Sequence, residues 1–223
     1  MTKTFSFWSD QRAGTAPTEV AFAPYAGGTW ETGGISDTLT PLLRARFGLP
    51  SGATCLELTN CLAPTFKVVD NVTNATVWQS TPSAVAPNVV SQVQVPASAG
   101  LIDNRTYRVE VSSRKTTNLL TSATSTMTFT AGLRPGATTI TAPVTTASLP
   151  VTVTFTNATP VAKYQWEAAC SSGGPQSTGE TTSTNTDVDM PGCAVALLIR
   201  ARGISASGLE GAWSPWSTIT IGE

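Results

Sequence analysis

The sequence predicts an all-β protein made of two tandem β-sandwiches with an extended N-terminal arm. The length of 223 residues suits two sandwiches of roughly 100 residues each. Short segments of alternating apolar and polar residues recur between turn residues, and none sustains the 3.6-residue period of an amphipathic helix. Only 12% of the residues are charged, so the surface depends on Ser and Thr, and β-branched Thr favours strands.

The boundary between the two sandwiches is predicted at residues 132–137, Gly-Leu-Arg-Pro-Gly-Ala. A glycine and a Pro-Gly pair between two strand-like segments are typical of a short linker. We therefore assign residues 1–17 to the arm, residues 18–132 to the first sandwich and residues 133–223 to the second.

Alternation with a period of two defines the strands of the first sandwich. In residues 42–47 the side chains of Leu43, Ala45 and Phe47 share one face, and arginines occupy the other. The same pattern, bounded by turn residues, predicts further strands at residues 18–22, 65–69, 76–78, 90–95, 105–111 and 125–130.

The second sandwich repeats this plan. Alternating segments predict strands at residues 150–155, 163–167, 197–202 and 217–221. The stretch 170–185 is rich in Ser, Thr and Gly, and we expect it to be mostly loop or a short edge strand.

Residues 95–111 carry a resemblance to a known family. Val-Pro-Ala-Ser-Ala-Gly-Leu at 95–101 is followed by a turn and by Tyr107, which opens an alternating strand. This pattern resembles the fibronectin type III-like repeats of bacterial and phage proteins, and the likeness extends over residues 38–131. It implies that Tyr107 forms a tyrosine corner, in which its hydroxyl is hydrogen-bonded to upstream backbone.

The second domain is similar to cytokine-receptor fibronectin domains in its W-S-x-W-S motif, which comprises Trp213, Ser214, Trp216 and Ser217. The resemblance implies that these tryptophans interleave with arginines of the preceding strand, and Arg200 and Arg202 have the required spacing. Two interpretations stay open, a stabilising ladder or a ligand-binding aromatic patch. This domain has Leu197 where a corner tyrosine is expected.

Four cysteines fit this topology as two disulfides, one in each domain. Cys170 ends one strand and Cys193 precedes its antiparallel neighbour, whereas Cys55 and Cys61 lie in one loop of the first domain. Such bonds suit an oxidising environment after release from a cell. The alternative is four reduced, buried thiols.

Catalytic, metal-binding and cofactor-binding functions are not expected. The chain has no histidine, which removes the usual general base and the commonest metal ligand. Asp187 and Asp189 lie two residues apart, and we interpret them as a solvated strand face rather than a calcium site. No basic block offers a nucleic-acid surface, and no apolar run reaches the ~18 residues of a membrane helix.

The N-terminal arm contains three bulky aromatic residues, Phe5, Phe7 and Trp8. Exposing each of them to water costs ~1.5–3 kcal/mol, so we expect the arm to pack on another subunit rather than to fray. Residues 1–10 lack the apolar core of a secretion signal. Either a signal has been removed or the protein leaves its cell without one, for example by lysis of a host.

These observations lead to two functional hypotheses. The first is a non-enzymatic structural protein of a tailed-bacteriophage virion, as a minor tail or tail-tip component or a capsid decoration. It would be made in the host cytoplasm, assemble with itself and other virion proteins, and touch host surface glycans weakly. The alternative is a secreted bacterial carbohydrate-binding or adhesin module, whose sugar-stacking platform would be Trp30, Trp78, Trp213 and Trp216.

Overall fold

A computed structural model describes residues 11–24, 27–55, 59–173 and 176–222. The chain divides into two compact units, Met1–Ala131 and Gly132–Glu223. The predicted all-β architecture is confirmed, because strands dominate both units and the described residues contain no helix beyond a three-residue 3-10 turn at Ala97–Ala99.

The first unit contains eight strands: β1 Thr18–Ala23, β2 Ile35–Ser36, β3 Leu42–Phe47, β4 Leu62–Asp70, β5 Thr76–Ser80, β6 Val89–Gln94, β7 Arg105–Lys115 and β8 Ser125–Ala131. They form a three-stranded sheet in the order β1-β3-β6 and a five-stranded sheet in the order β2-β8-β7-β4-β5. Strand β2 runs parallel to β8. The alternating apolar side chains of both sheets meet in one core, which includes Phe22, Phe47, Phe66 and Phe129.

The second unit repeats the arrangement with β9 Thr138–Thr141, β10 Thr145–Thr146, β11 Val151–Asn157, β12 Lys163–Cys170, β13 Gln176–Thr181, β14 Asn185–Val188, β15 Ala196–Ile204 and β16 Ser217–Ile221. The sheet orders are β14-β11-β9 and β10-β16-β15-β12-β13. Its core is built around Phe155, Tyr164, Trp166, Leu197 and Ile199.

The polar stretch 170–185 contains an edge strand, one of its two predicted forms. Strand β13 pairs with β12 over six residues, and Gly179 lies opposite Trp166. A Cβ atom on Gly179 would be 2.5 Å from Cζ2 of Trp166, so the indole packs directly on bare backbone. The glycine is therefore a packing requirement of this strand pair.

The predicted arm, residues 1–17, is only partly described. Residues 1–10, with Phe5, Phe7 and Trp8, lie outside the described residues. The remainder lies against the first unit: the Thr15 amide donates to the Gly48 carbonyl at 3.0 Å, and Ser125 Oγ donates to the Pro17 carbonyl at 2.6 Å. Residues 11–17, assigned to the arm from the sequence, therefore belong with the first unit.

Candidate functional site

A stack of tryptophan and arginine side chains covers the outer face of the five-stranded sheet in the second unit. The ring of Trp213 lies between the guanidinium groups of Arg200 and Arg202, with centroid distances of 4.8 and 4.7 Å. Trp216 stacks on Arg200 at 4.7 Å. The order Trp216, Arg200, Trp213, Arg202 is a continuous cation–π ladder.

Acidic and amide side chains hold the two arginines flat against the sheet. Glu167, opposite Arg200 on β12, accepts a hydrogen bond from its Nε at 2.7 Å. Gln165 accepts from Nε of Arg202 at 2.7 Å, and Glu210 pairs with Nη1 of Arg202 at 2.5 Å. Charge-assisted bonds of this kind fix the guanidinium planes on which the tryptophans stack.

Ser214 positions the two tryptophans by closing its segment onto β15. Its amide donates to the Ala201 carbonyl at 2.8 Å, and its Oγ accepts from the Ala201 amide at 3.0 Å. The same Oγ donates to the Pro215 carbonyl at 2.9 Å. Ser217 then begins β16, opposite Ile199. The serines of the motif therefore shape backbone, while the tryptophans supply the surface.

The first unit contains the same serine closure, which sequence reasoning missed. The Ser122 amide donates to the Ser113 carbonyl at 2.8 Å, and Ser122 Oγ accepts from the Ser113 amide at 3.0 Å. Ser122 Oγ also donates to the Ala123 carbonyl at 2.9 Å. The signal was present in the sequence, since in each unit a serine stands three residues before the last strand. We call this arrangement the serine closure.

Tyr107 is buried, and its hydroxyl accepts a hydrogen bond from the Ile102 amide at 2.9 Å. This is the upstream backbone contact of a tyrosine corner.

The expectation for Leu197 is wrong. Tyr107 lies six residues before Ser113, and in the second unit Val195 lies six residues before Ala201. The serine closure therefore assigns the corner position to Val195, whereas Leu197 is a core residue in β15. Hydrophobic pattern alone could not fix this two-residue offset, because both residues are apolar and share the alternation.

Both predicted disulfides are present. The Cα atoms of Cys55 and Cys61 are 5.4 Å apart, and those of Cys170 and Cys193 are 5.5 Å apart. The second bond joins the end of β12 to the segment before β15 and spans 23 positions of sequence. In the chain-entropy account a loop of this length stabilises the folded state by roughly 3 kcal/mol.

The four tryptophans proposed as a sugar platform are divided between the two units, two in each. Trp30 stacks on Arg44 at 4.5 Å in the first unit, and Trp78 is half-buried against that unit's core. Trp213 has both faces covered by arginines. Trp216 is 44% exposed and borders a depression of about 270 Å³. The depression is also lined by Glu167, Ala169, Gln176, Thr178 and Arg200.

A second electrostatic feature stabilises the turn after β4. Asp70 accepts hydrogen bonds from the amides of Thr73 at 3.0 Å and Val72 at 2.9 Å, and it forms an ion pair with Arg105. The bond from Thr73, with further help from Arg105 and Val72, lowers the pKa of Asp70 below its ordinary value.

Asp187 and Asp189 are exposed, and Asp187 accepts a hydrogen bond from Thr152 at 2.6 Å. Within the described residues no group of three or more potential metal ligands comes together. In the same part of the chain, no helix is long and apolar enough to cross a bilayer.

Comparison with known proteins supports the fold. No family model matches the chain, and no curated protein matches it in sequence. The two-domain fibronectin type III segment of chicken tenascin is similar in structure, with a TM-score of 0.53 and 12% identity, over 92% of this chain and 99% of that one. The chicken interferon gamma receptor alpha chain matches with a TM-score of 0.47 and 11% identity, over 93% and 98%. The chain folds as a tandem pair of fibronectin type III-like β-sandwiches.

Proposed function

We propose that the protein is a non-enzymatic structural component of a tailed-bacteriophage virion, either a minor tail or tail-tip protein or a capsid decoration, that acts in assembly and surface display. One observation carries the proposal. Residues 95–111, which resemble phage and bacterial repeats, form a tight turn followed by the Tyr107 corner that this resemblance implies. Fibronectin type III-like pairs are also typical of adhesion and receptor modules.

The chemistry of the conspicuous polar groups supports a structural role. Glu167 and Glu210 pair with the ladder arginines, and Asp70 pairs with Arg105. Each of these carboxylates therefore holds a folded segment in place. The exposed ladder and the Ser- and Thr-rich strands provide a surface suited to display.

The arm supplies the assembly contact in this proposal. Phe5, Phe7 and Trp8 precede the segment that lies on the first unit, and their burial on another subunit would stabilise the particle by roughly 1.5–3 kcal/mol each. The partners are further virion subunits, including copies of this chain.

The test uses particles from a lysate of cells producing the phage. Particles are banded on a density gradient, and the protein in them is quantified by mass spectrometry. We expect the wild type in fixed stoichiometry and a variant with Phe5→Ala, Phe7→Ala and Trp8→Ala at less than a tenth of that level. A control with Thr2→Ala, Thr4→Ala and Ser6→Ala should incorporate normally. Wild-type protein that stays entirely outside the particles would disprove the virion role.

A second candidate, a secreted carbohydrate-binding module, is favoured by exposed Trp216 beside the polar depression. Aromatic rings flanked by a few polar groups are a common lining of small-molecule sites. Glycan-array binding that is lost in Trp216→Ala, and retained in Trp30→Ala, would support it.

A further inference from the structure

The serine closure aligns the two units residue by residue along their outer sheet faces. Arg114 directly follows Ser113, as Arg202 directly follows Ala201. Both arginines therefore hold the same position on equivalent strands, β7 and β15.

The residue before the closing serine differs between the units. It is Trp213 before Ser214 in the second unit and Thr121 before Ser122 in the first. At the place where the second unit stacks an indole on an arginine, the first unit has a short hydroxyl side chain.

This exchange leaves a depression on the first unit. Its volume is about 270 Å³, and it is lined by Ala63, Thr65, Thr81, Arg114 and Thr121. Because Arg114 and Thr121 are both in the lining, the depression occupies the position that Trp213 fills in the second unit. A volume of this size is enough to hold one large side chain.

The guanidinium group of Arg114 is accessible to an aromatic partner. It is exposed, and within the described part of the chain it forms no ion pair. Its counterpart Arg202 stacks on Trp213 at 4.7 Å. An indole placed on Arg114 would gain the same cation–π contact.

The N-terminal arm starts at the same end of the first unit. Nη1 of Arg12 donates to the Ser51 carbonyl at 2.8 Å, and Nδ2 of Asn118 donates to the Arg12 carbonyl at 3.3 Å. Asn118 lies in the turn between Lys115 and Thr121. Arg12, which tethers the arm, is thus held within a few residues of the depression.

Two apolar side chains mark the same turn. Leu119 is 63% exposed and adopts a φ of 60°, and Leu120 is 40% exposed. A left-handed conformation is unfavourable for leucine. The turn therefore presents an aliphatic surface beside Thr121, which lines the depression.

We propose that the depression receives Trp8 from a second copy of this chain, while Phe5 and Phe7 of the same arm cover Leu119 and Leu120. This inference rests on the proposed assembly role of the arm. Because the arm's tether and its docking surface lie at one end of the unit, two copies can exchange arms around a twofold axis. The symmetric pair uses both docking surfaces at once.

The test is a substitution that fills the depression with a side chain of the first unit itself. Thr121→Trp places on the first unit the residue that the second unit has at Trp213, and it should displace the incoming arm. Dimerisation of the full chain is measured by sedimentation over a concentration series. We expect both Thr121→Trp and Trp8→Ala to weaken it on the order of tenfold or more.

Two controls isolate the depression. Thr121→Ser keeps it open, and Thr126→Trp adds an indole on strand β8 of the same sheet; both should dimerise as the wild type does. A melting temperature of Thr121→Trp no lower than that of the wild type would show that the fold is kept.

The outcomes separate this inference from the virion proposal. A Thr121→Trp protein that dimerises normally overturns the inference, and so does a wild type that is monomeric at all concentrations, including one whose arm folds back on its own unit. If the wild type dimerises through the depression but is absent from particles, the inference stands and the virion role fails.

Discussion

The hydroxyl of Tyr107 accepts a hydrogen bond from the Ile102 amide at 2.9 Å, and this contact ties the turn before β7 to the strand itself. The ring is buried in the first core beside Phe129, at a centroid distance of 5.9 Å. One side chain therefore contributes both to packing and to the geometry of the chain as it crosses between sheets.

Tyr107→Phe should keep the packing and lose the hydrogen bond. We expect the first unit to be destabilised by about 1 kcal/mol, the usual net value of such a bond. Hydrogen exchange followed by mass spectrometry should show faster exchange in β4 and β7 and unchanged exchange in β12 and β15. Tyr164→Phe, in the second unit, is the control that should leave β7 unaffected.

The ladder predicts an unequal effect of its two tryptophans. Trp213 contacts two arginines and Trp216 contacts one. At about 0.5–1 kcal/mol for each exposed cation–π contact, and with more apolar area lost at the half-buried position, Trp213→Ala should cost about 2 kcal/mol and Trp216→Ala about 1 kcal/mol. Urea denaturation monitored by circular dichroism measures both. Equal losses would contradict the ladder as the stabilising unit.

Gly179→Ala tests the packing of Trp166 on the edge strand. The added methyl group would lie 2.5 Å from the indole, so either the ring or β13 must move. Overpacking of this kind costs about 1–3 kcal/mol. Gly136→Ala in the same unit, whose Cβ would find its nearest neighbour 3.9 Å away, should leave the melting temperature unchanged.

The pH dependence of the first unit should depend on Asp70. Its pKa is lowered in the folded state by the Thr73 amide and Arg105, so the ionised carboxylate stabilises the fold at pH values above its unfolded pKa of about 3.9. That contribution is lost as the pH falls through the lower folded pKa. Thermal unfolding between pH 7 and pH 2 should show a smaller acid-induced loss in Asp70→Asn than in the wild type.

Much of the fold follows from alternation in the sequence, and the failures have physical causes. Predicted strands such as 42–47 coincide with β3, because one of their faces is strongly apolar. Strand β7 extends four residues beyond its predicted end. The alternation of apolar and polar residues stops there, because Ser112, Ser113 and buried Lys115 are all polar. The sequence leaves residues 170–185 open between loop and edge strand, because a polar edge strand such as β13 buries little and gives little hydrophobic signal.

The candidate site was predicted in part. The spacing of Arg200, Arg202, Trp213 and Trp216 indicated an interleaved stack, and the structure contains one. Composition does not single out Ser122, because serine is common in this chain; its place three residues before the last strand and its pairing with Ser113 do. The significance of the depression beside Arg114 becomes clear only when the two folded units are compared.

The polar edge strand β13 affects how copies of the chain can pair with one another. Its residues, Gln-Ser-Thr-Gly-Glu-Thr, offer backbone hydrogen bonds at the open edge of the sheet but no large apolar side chain to bury. A strand of a neighbouring molecule that paired there would gain little, so fibrillar growth from edge to edge is disfavoured. At high protein concentration, copies of the chain are therefore not expected to extend this sheet by adding a strand at β13.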